Sequence, residues 1–88
     1  MNAADKKKLR ADAHALKPVV MIGQSGLTAA VLAEIEQALN THELIKVKIR
    51  AERDERKLIS EKICTDTGAE LIQTIGQIAV IYRLNPDK

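Results

Sequence analysis

The sequence is almost without aromatic side chains: among its 88 residues Tyr82 stands alone, with neither Phe nor Trp. That absence excludes modules that stack bases on exposed rings, such as RNA-recognition motifs and oligonucleotide-binding barrels. Any contact with nucleic acid must then rest on backbone amides and cations. Cysteine is as scarce, since Cys64 is the only one, so an internal disulfide is impossible and a thiolate metal cluster cannot be assembled. Apolar runs fall far short of the roughly 20 residues that span a bilayer, and the chain opens on polar residues, unlike a signal peptide. The expectation is a cytoplasmic protein with no membrane partner, metal, cofactor or small-molecule substrate.

What is present suffices for one small core. A length of 88 residues with 45% hydrophobic content fits a single domain over 1–88, with a frayed tail at 85–88. The net charge of +2 hides a segregation. Residues 1–26 carry five cations against two acids, 27–43 carry three acids and no cation, and 44–57 carry six cations against three acids. Such asymmetry favours an oriented encounter with a polyanion over uniform stickiness. For any one of these blocks taken singly, a solvated charged face is the commoner explanation.

The organising stretch runs from Leu16 to Thr28. Val19 to Ile22 reads as a short buried strand, followed by a tight Gly23-Gln24-Ser25-Gly26 turn and a helix opening near Thr28, a plausible N-cap. Two glycines around two small polar residues let the backbone approach a bulky anion. A helix beginning just beyond leaves amides unpaired, so main chain alone could hold a phosphate. Glycine-flanked strand-to-helix turns also occur throughout α/β proteins because glycine tolerates the dihedrals, so the turn does not name its ligand. It lacks the Lys of a Walker loop, and Leu27 stands where a Gly-x-Ser-x-Gly elbow needs its second glycine.

Before this stretch, Ala4 to Leu16 reads as a helix. Leu9, Ala13 and Leu16 form a narrow apolar stripe, beside which run Lys6, Arg10, His14 and Lys17, with Lys7 and Lys8 widening the charge. Lys17, preceding Pro18, is biased out of the helix. After the turn, Thr28 to Thr41 reads as a helix burying Val31, Leu32, Ile35, Ala38 and Leu39, with Glu34 and Glu36 as solvated carboxylates. Glu43 to Arg50 alternates Ile45, Val47 and Ile49 with Lys46, Lys48 and Arg50, a strand with one face in the core. Its three cations are either a binding surface or the wet side of a half-covered sheet. A third helix, Asp54 to Asp66, buries Leu58, Ile59 and Ile63 and stops at Gly68, with Cys64 at its margin. Leu71 to Ile75 and Ile78 to Leu84 are strands about a Gly76-Gln77 hairpin, the second apolar enough to be interior. The order helix, strand, helix, strand, helix, strand, strand gives an α/β (α+β) domain with a mixed four-stranded sheet.

Several long words of this chain resemble the YhbY family of bacterial proteins, single-domain members of the CRM (chloroplast RNA splicing and ribosome maturation) group. They are His-Ala-Leu-Lys-Pro-Val-Val-Met-Ile-Gly-Gln-Ser-Gly-Leu-Thr from His14, Val-Leu-Ala-Glu-Ile-Glu-Gln-Ala-Leu from Val31, Glu-Leu-Ile-Lys-Val-Lys-Ile from Glu43, Asp66-Thr67-Gly68-Ala69 and Val80-Ile81-Tyr82-Arg83. The resemblance implies the fold of the C-terminal domain of bacterial translation initiation factor three. That fold has strand order 1-2-4-3, two crossover helices on one sheet face, and here an added N-terminal helix. It implies binding of structured RNA, for bacterial members the rRNA of precursor large (50S) ribosomal subunits. The Gly-x-x-Gly loop falls on Gly23, Gln24, Ser25 and Gly26, and the basic face on Lys6, Lys7, Lys8, Arg10 and Lys17. Charge alone extends that face to Lys46, Lys48 and Arg50.

Two other readings compete. A protein-protein adaptor within a ribonucleoprotein would use the acidic second helix and a sheet edge. A hydrolase built on Ser25 with His14 or His42 as base lacks a legible orienting carboxylate.

Overall fold

A computed structural model describes residues 2–85. Its elements are α1 (Ala3–Ala13), β1 (Pro18–Ile22), α2 (Ala29–His42), β2 (Leu44–Ile49), α3 (Arg53–Thr67), β3 (Glu70–Ile75) and β4 (Ile78–Tyr82). The four strands form one sheet in the order β1-β2-β4-β3, with β1 parallel to β2 and the other pairs antiparallel. The expected class, element order and strand order are therefore those observed.

Alternation in β2 decides which layer goes where. Ile45, Val47 and Ile49 are buried with Val20 and Ile22 of β1, Ile81 of β4, Ile35 and Leu39 of α2, and Ile63 of α3. The opposite sheet face is covered by α1, through Leu9 and Ala13 against Ile72, Val80, Leu44 and Tyr82. The molecule is thus three layers, with the larger core between the sheet and α2/α3.

Local chemistry sets the element ends. Thr28 caps α2, its hydroxyl accepting from the Val31 amide at 3.2 Å, and Asn2 caps α1 by accepting from Asp5 at 2.9 Å. Gly68 ends α3 at φ +74°, where a side chain would be strained. Gly76 turns the β3–β4 hairpin at φ +54°, the sign a primed turn requires at its first central position.

Five expectations are corrected. The first strand is not buried throughout: Val20 and Ile22 enter the core, whereas Val19 and Met21 face outward, because β1 is an edge strand whose other face α1 leaves open there. The first helix ends at Ala13 rather than Leu16, because the chain must leave the α region before Pro18; it does so through tight bonds from His14 to Ala11 and from Leu16 to Ala13. Leu58 points outward at 66% exposure, while Ile59 and Ile63 meet the core, since a helix lying on a sheet buries a single stripe. The last strand stops at Tyr82 instead of Leu84. Asn85 is not frayed: its amide donates to Glu43 Oε2 and its side chain to the Asn40 carbonyl, each at 2.7 Å. The rest of the expected tail, 86–88, lies outside the described residues.

Candidate nucleic-acid interface

The sheet has two chemically distinct ends. Because β1 and β2 are parallel and β4 runs against β2, the exit from β1, the exit from β2 and the 76–77 hairpin turn lie together. The Arg50 amide donates to the Ile22 carbonyl at 2.9 Å, and the Ile49 amide to the Gln77 carbonyl at 2.7 Å. At this end the glycine turn leaves β1.

The turn is closed by one bond, from the Gly26 amide to the Gly23 carbonyl at 3.1 Å. Gly26 sits at φ +72°, whereas Gln24 and Ser25 keep negative φ, which fits a type I turn with glycine in fourth place. Of the donors expected to face a ligand, that of Gly26 is therefore spent internally. Those of Gln24 and Ser25 have no acceptor among the described residues, and both residues are exposed. Gly23 has open space where a Cβ would stand, so its lack of a side chain answers to no neighbour among the described residues.

The expected cations separate into three groups. Lys48 and Arg50 stand beside the glycine turn, Lys48 paired with Met21 in the β1–β2 register and half-buried, Arg50 exposed. Lys46 lies further back, level with Pro18, and its Nζ donates to the Leu16 carbonyl at 3.0 Å, which ties the link between α1 and β1. The third group is on α1: Lys7 and Lys8 are exposed, and Lys6 and Arg10 are half-buried along the margin of its docked stripe. Lys17 is exposed in the link after the helix.

At the far end stand residues that charge patterning alone misassigned or overlooked. Arg83, just past β4, donates to Glu36 Oε2, Asn40 Oδ1 and the Thr67 carbonyl, each at 2.8 Å. It gathers the C-terminal ends of α2 and α3, where carbonyls are unsatisfied and a cation is favoured. Glu36, expected to be a solvated carboxylate, is thereby half of an ion pair with Arg83. Glu43, next along, adopts φ +65° and ψ −48°, a region few non-glycine residues enter. Its amide donates to the Leu39 carbonyl and its own carbonyl accepts from the Arg83 amide, both at 2.9 Å.

The fold also separates the residues of the hydrolase reading. Ser25 is at the glycine-turn end, whereas His14 follows α1 and His42 ends α2, both at the opposite end of β1. The Cys64 thiol is pushed above its ordinary value by burial, with the nearby Glu70 charge adding to the effect, so it stays protonated and a poor nucleophile.

These features, a three-layer α+β domain with a glycine turn and a cation-bearing sheet face, define the class that sequence comparison then names. The chain belongs to the CRS1 / YhbY (CRM) domain family, whose model matches residues 1–83. It is 49% identical over 82 residues to a probable RNA-binding protein of Pseudomonas aeruginosa, covering 92% of this chain and 79% of that one. An RNA-binding protein of Haemophilus influenzae is 52% identical over 84 residues, covering 94% and 85%. Among solved structures, a Staphylococcus aureus protein proposed to bind RNA superposes with TM-score 0.85 at 34% identity, over 96% of this chain and 88% of that one.

Proposed function

We propose that this protein is a non-catalytic RNA-binding module that acts in the cytoplasm on rRNA of precursor large ribosomal subunits. The observation that carries the reading is the pair of amides without an acceptor among the described residues, at the exposed Gln24 and Ser25, flanked by Lys48 and Arg50, in a chain whose relatives are named for RNA binding. The turn holds one phosphate through main chain, and the α1 cations Lys6, Lys7, Lys8 and Arg10, with Lys17, hold phosphates further along the RNA. Main-chain and cationic contacts to phosphate carry no sequence code, so discrimination rests on the shape of the folded RNA and on its unpaired segments.

The test is salt-dependent binding of Lys7→Glu/Lys8→Glu to large-subunit rRNA. Each lost phosphate contact lowers the log–log salt slope by about 0.7 to 0.9. An unchanged slope removes α1 from the contact surface. For the assembly role, the expected outcome is co-sedimentation of the protein with precursor large subunits and its absence from mature ones.

A further inference from the structure

The sheet face that α1 covers is not covered to its end. Beyond the helix, a row of side chains crosses all four strands: Met21 of β1 stands beside Lys48 of β2, Lys48 beside Ile78 of β4, and Ile78 beside Ile75 of β3. Met21, Lys48 and Ile78 point to the side opposite the main core, because their strand neighbours Ile22, Val47, Ile49 and Ala79 fill it, and Ile75 shares that side through its register with Ile78. Met21 is 53% exposed and Ile75 is 49% exposed, with Lys48 and Ile78 half-buried between them. At about 4.8 Å per strand the row is about 14 Å long. It starts two residues before Gly23.

We propose that this row is a docking strip for unpaired bases of the RNA strand whose phosphate sits at the Gly23–Gly26 turn. The inference rests on the RNA-binding reading and adds the part of the ligand that reading leaves unassigned. A strand held at the turn by its backbone has its bases free. The adjoining surface is apolar at both ends and cationic in the middle, which matches flat bases joined by phosphates. About two or three unstacked bases fit such a length, as on sheet platforms that use aromatic rings for the same purpose. Here thioether and aliphatic side chains take the place of rings, and Lys48 supplies the charge between them.

A second copy of the chain fits the strip less well. Rows facing in the same direction would oppose Lys48 to Lys48, rows facing in reverse would press each Lys48 onto Ile78, and in either case four side chains, two of them half-covered, fall far short of the roughly 800 Å² that each partner commits to a stable interface.

The test uses a hairpin RNA with an eight-uridine loop and the same hairpin with abasic loop positions, which keeps every phosphate. The wild-type protein should bind the uridine loop about tenfold more tightly, as expected for burial of one or two half-exposed apolar side chains. Met21→Ser/Ile75→Ser removes contacts that face solvent in the free protein, so the fold should survive. That variant should lose the preference for bases while keeping the salt slope. Lys48→Gln should keep the preference and lower the slope by about 0.7. Equal wild-type affinity for both loops overturns the strip and leaves the RNA-binding reading intact. Failure to bind either hairpin or large-subunit rRNA at low salt removes both. A wild-type dimer that the serine variant converts to monomer assigns the strip to self-association and overturns the proposal.

Discussion

Arg83 and Arg50 bear the same charge at opposite ends of one sheet, and the chain uses them in opposite ways. Arg83 spends its guanidinium on Glu36, Asn40 and the Thr67 carbonyl, whereas Arg50 stays exposed beside a turn whose Gln24 and Ser25 amides are also unspent. One end is saturated and the other is left open. A cation therefore shows its role by whether its donors are already taken, which its position in a charge pattern does not reveal. Lys46 makes the same point within one strand: its Nζ is committed to the Leu16 carbonyl, two residues away from a Lys48 that is not so tied.

The comparison can be broken most strongly at its saturated end. Arg83→Ala leaves several acceptors at two helix C-termini without their donor, and the expected loss is about 2 kcal/mol, discounted for the solvent that reaches Glu36. Thermal or urea unfolding measures it, and RNA affinity of the folded variant should change less than twofold. An Arg83 variant of native stability but poor RNA affinity would move this residue into the open surface.

The open end is tested by deleting a donor without disturbing the turn. Proline is favoured in the second position of a type I turn, so Gln24→Pro removes one N–H where the backbone tolerates it. RNA affinity should drop about tenfold, roughly 1.4 kcal/mol, with stability unchanged. Full affinity in this variant would mean that the amide does not face phosphate. Gly26→Ala sharpens the same point from the conformational side. At φ +72° a Cβ costs about 1 kcal/mol, seen as a lower unfolding midpoint, although no neighbouring atom opposes it.

The smallest effect is expected at Cys64, on the saturated side. Its thiol binds a proton more tightly when folded than when unfolded, so its contribution to stability is complete below the unfolded thiol's pKa. That contribution is lost as pH rises through the raised folded value. Labelling with a thiol reagent at neutral pH should accordingly be slower in the native protein than in urea. Equal rates in the two states would contradict the burial that raises the pKa.

Much of the architecture was legible because local signals agreed with one another. The strict alternation through Ile45, Val47 and Ile49, the stop at Gly68 and the turn at Gly76 each state a backbone geometry in nearby residues. The misreadings share a different cause. Whether Leu58 faces the sheet depends on how the whole of α3 is rotated, and its apolar character alone does not fix that angle. The pairing of Glu36 with Arg83 joins residues 47 positions apart, and Asn85 meets Glu43 across 42. Neither partner carries a local mark of the other. At the candidate interface, the glycine spacing indicated a turn, but which amides it leaves free depends on the Gly26-to-Gly23 bond that only the folded geometry supplies.

The place of β4 has a consequence for how the molecule is made. The fourth strand of this sheet in chain order lies between β2 and β3, so until residues 78–82 emerge the earlier strands form two separate pieces with no shared edge. A nascent chain can pair β1 with β2, but it cannot join β3 to them, and the clasp between Arg83 and Glu43 is made later still. The four-stranded sheet can therefore close only after residues 78–82 have left the ribosomal exit tunnel, because β4 supplies the edges that join β3 to β2.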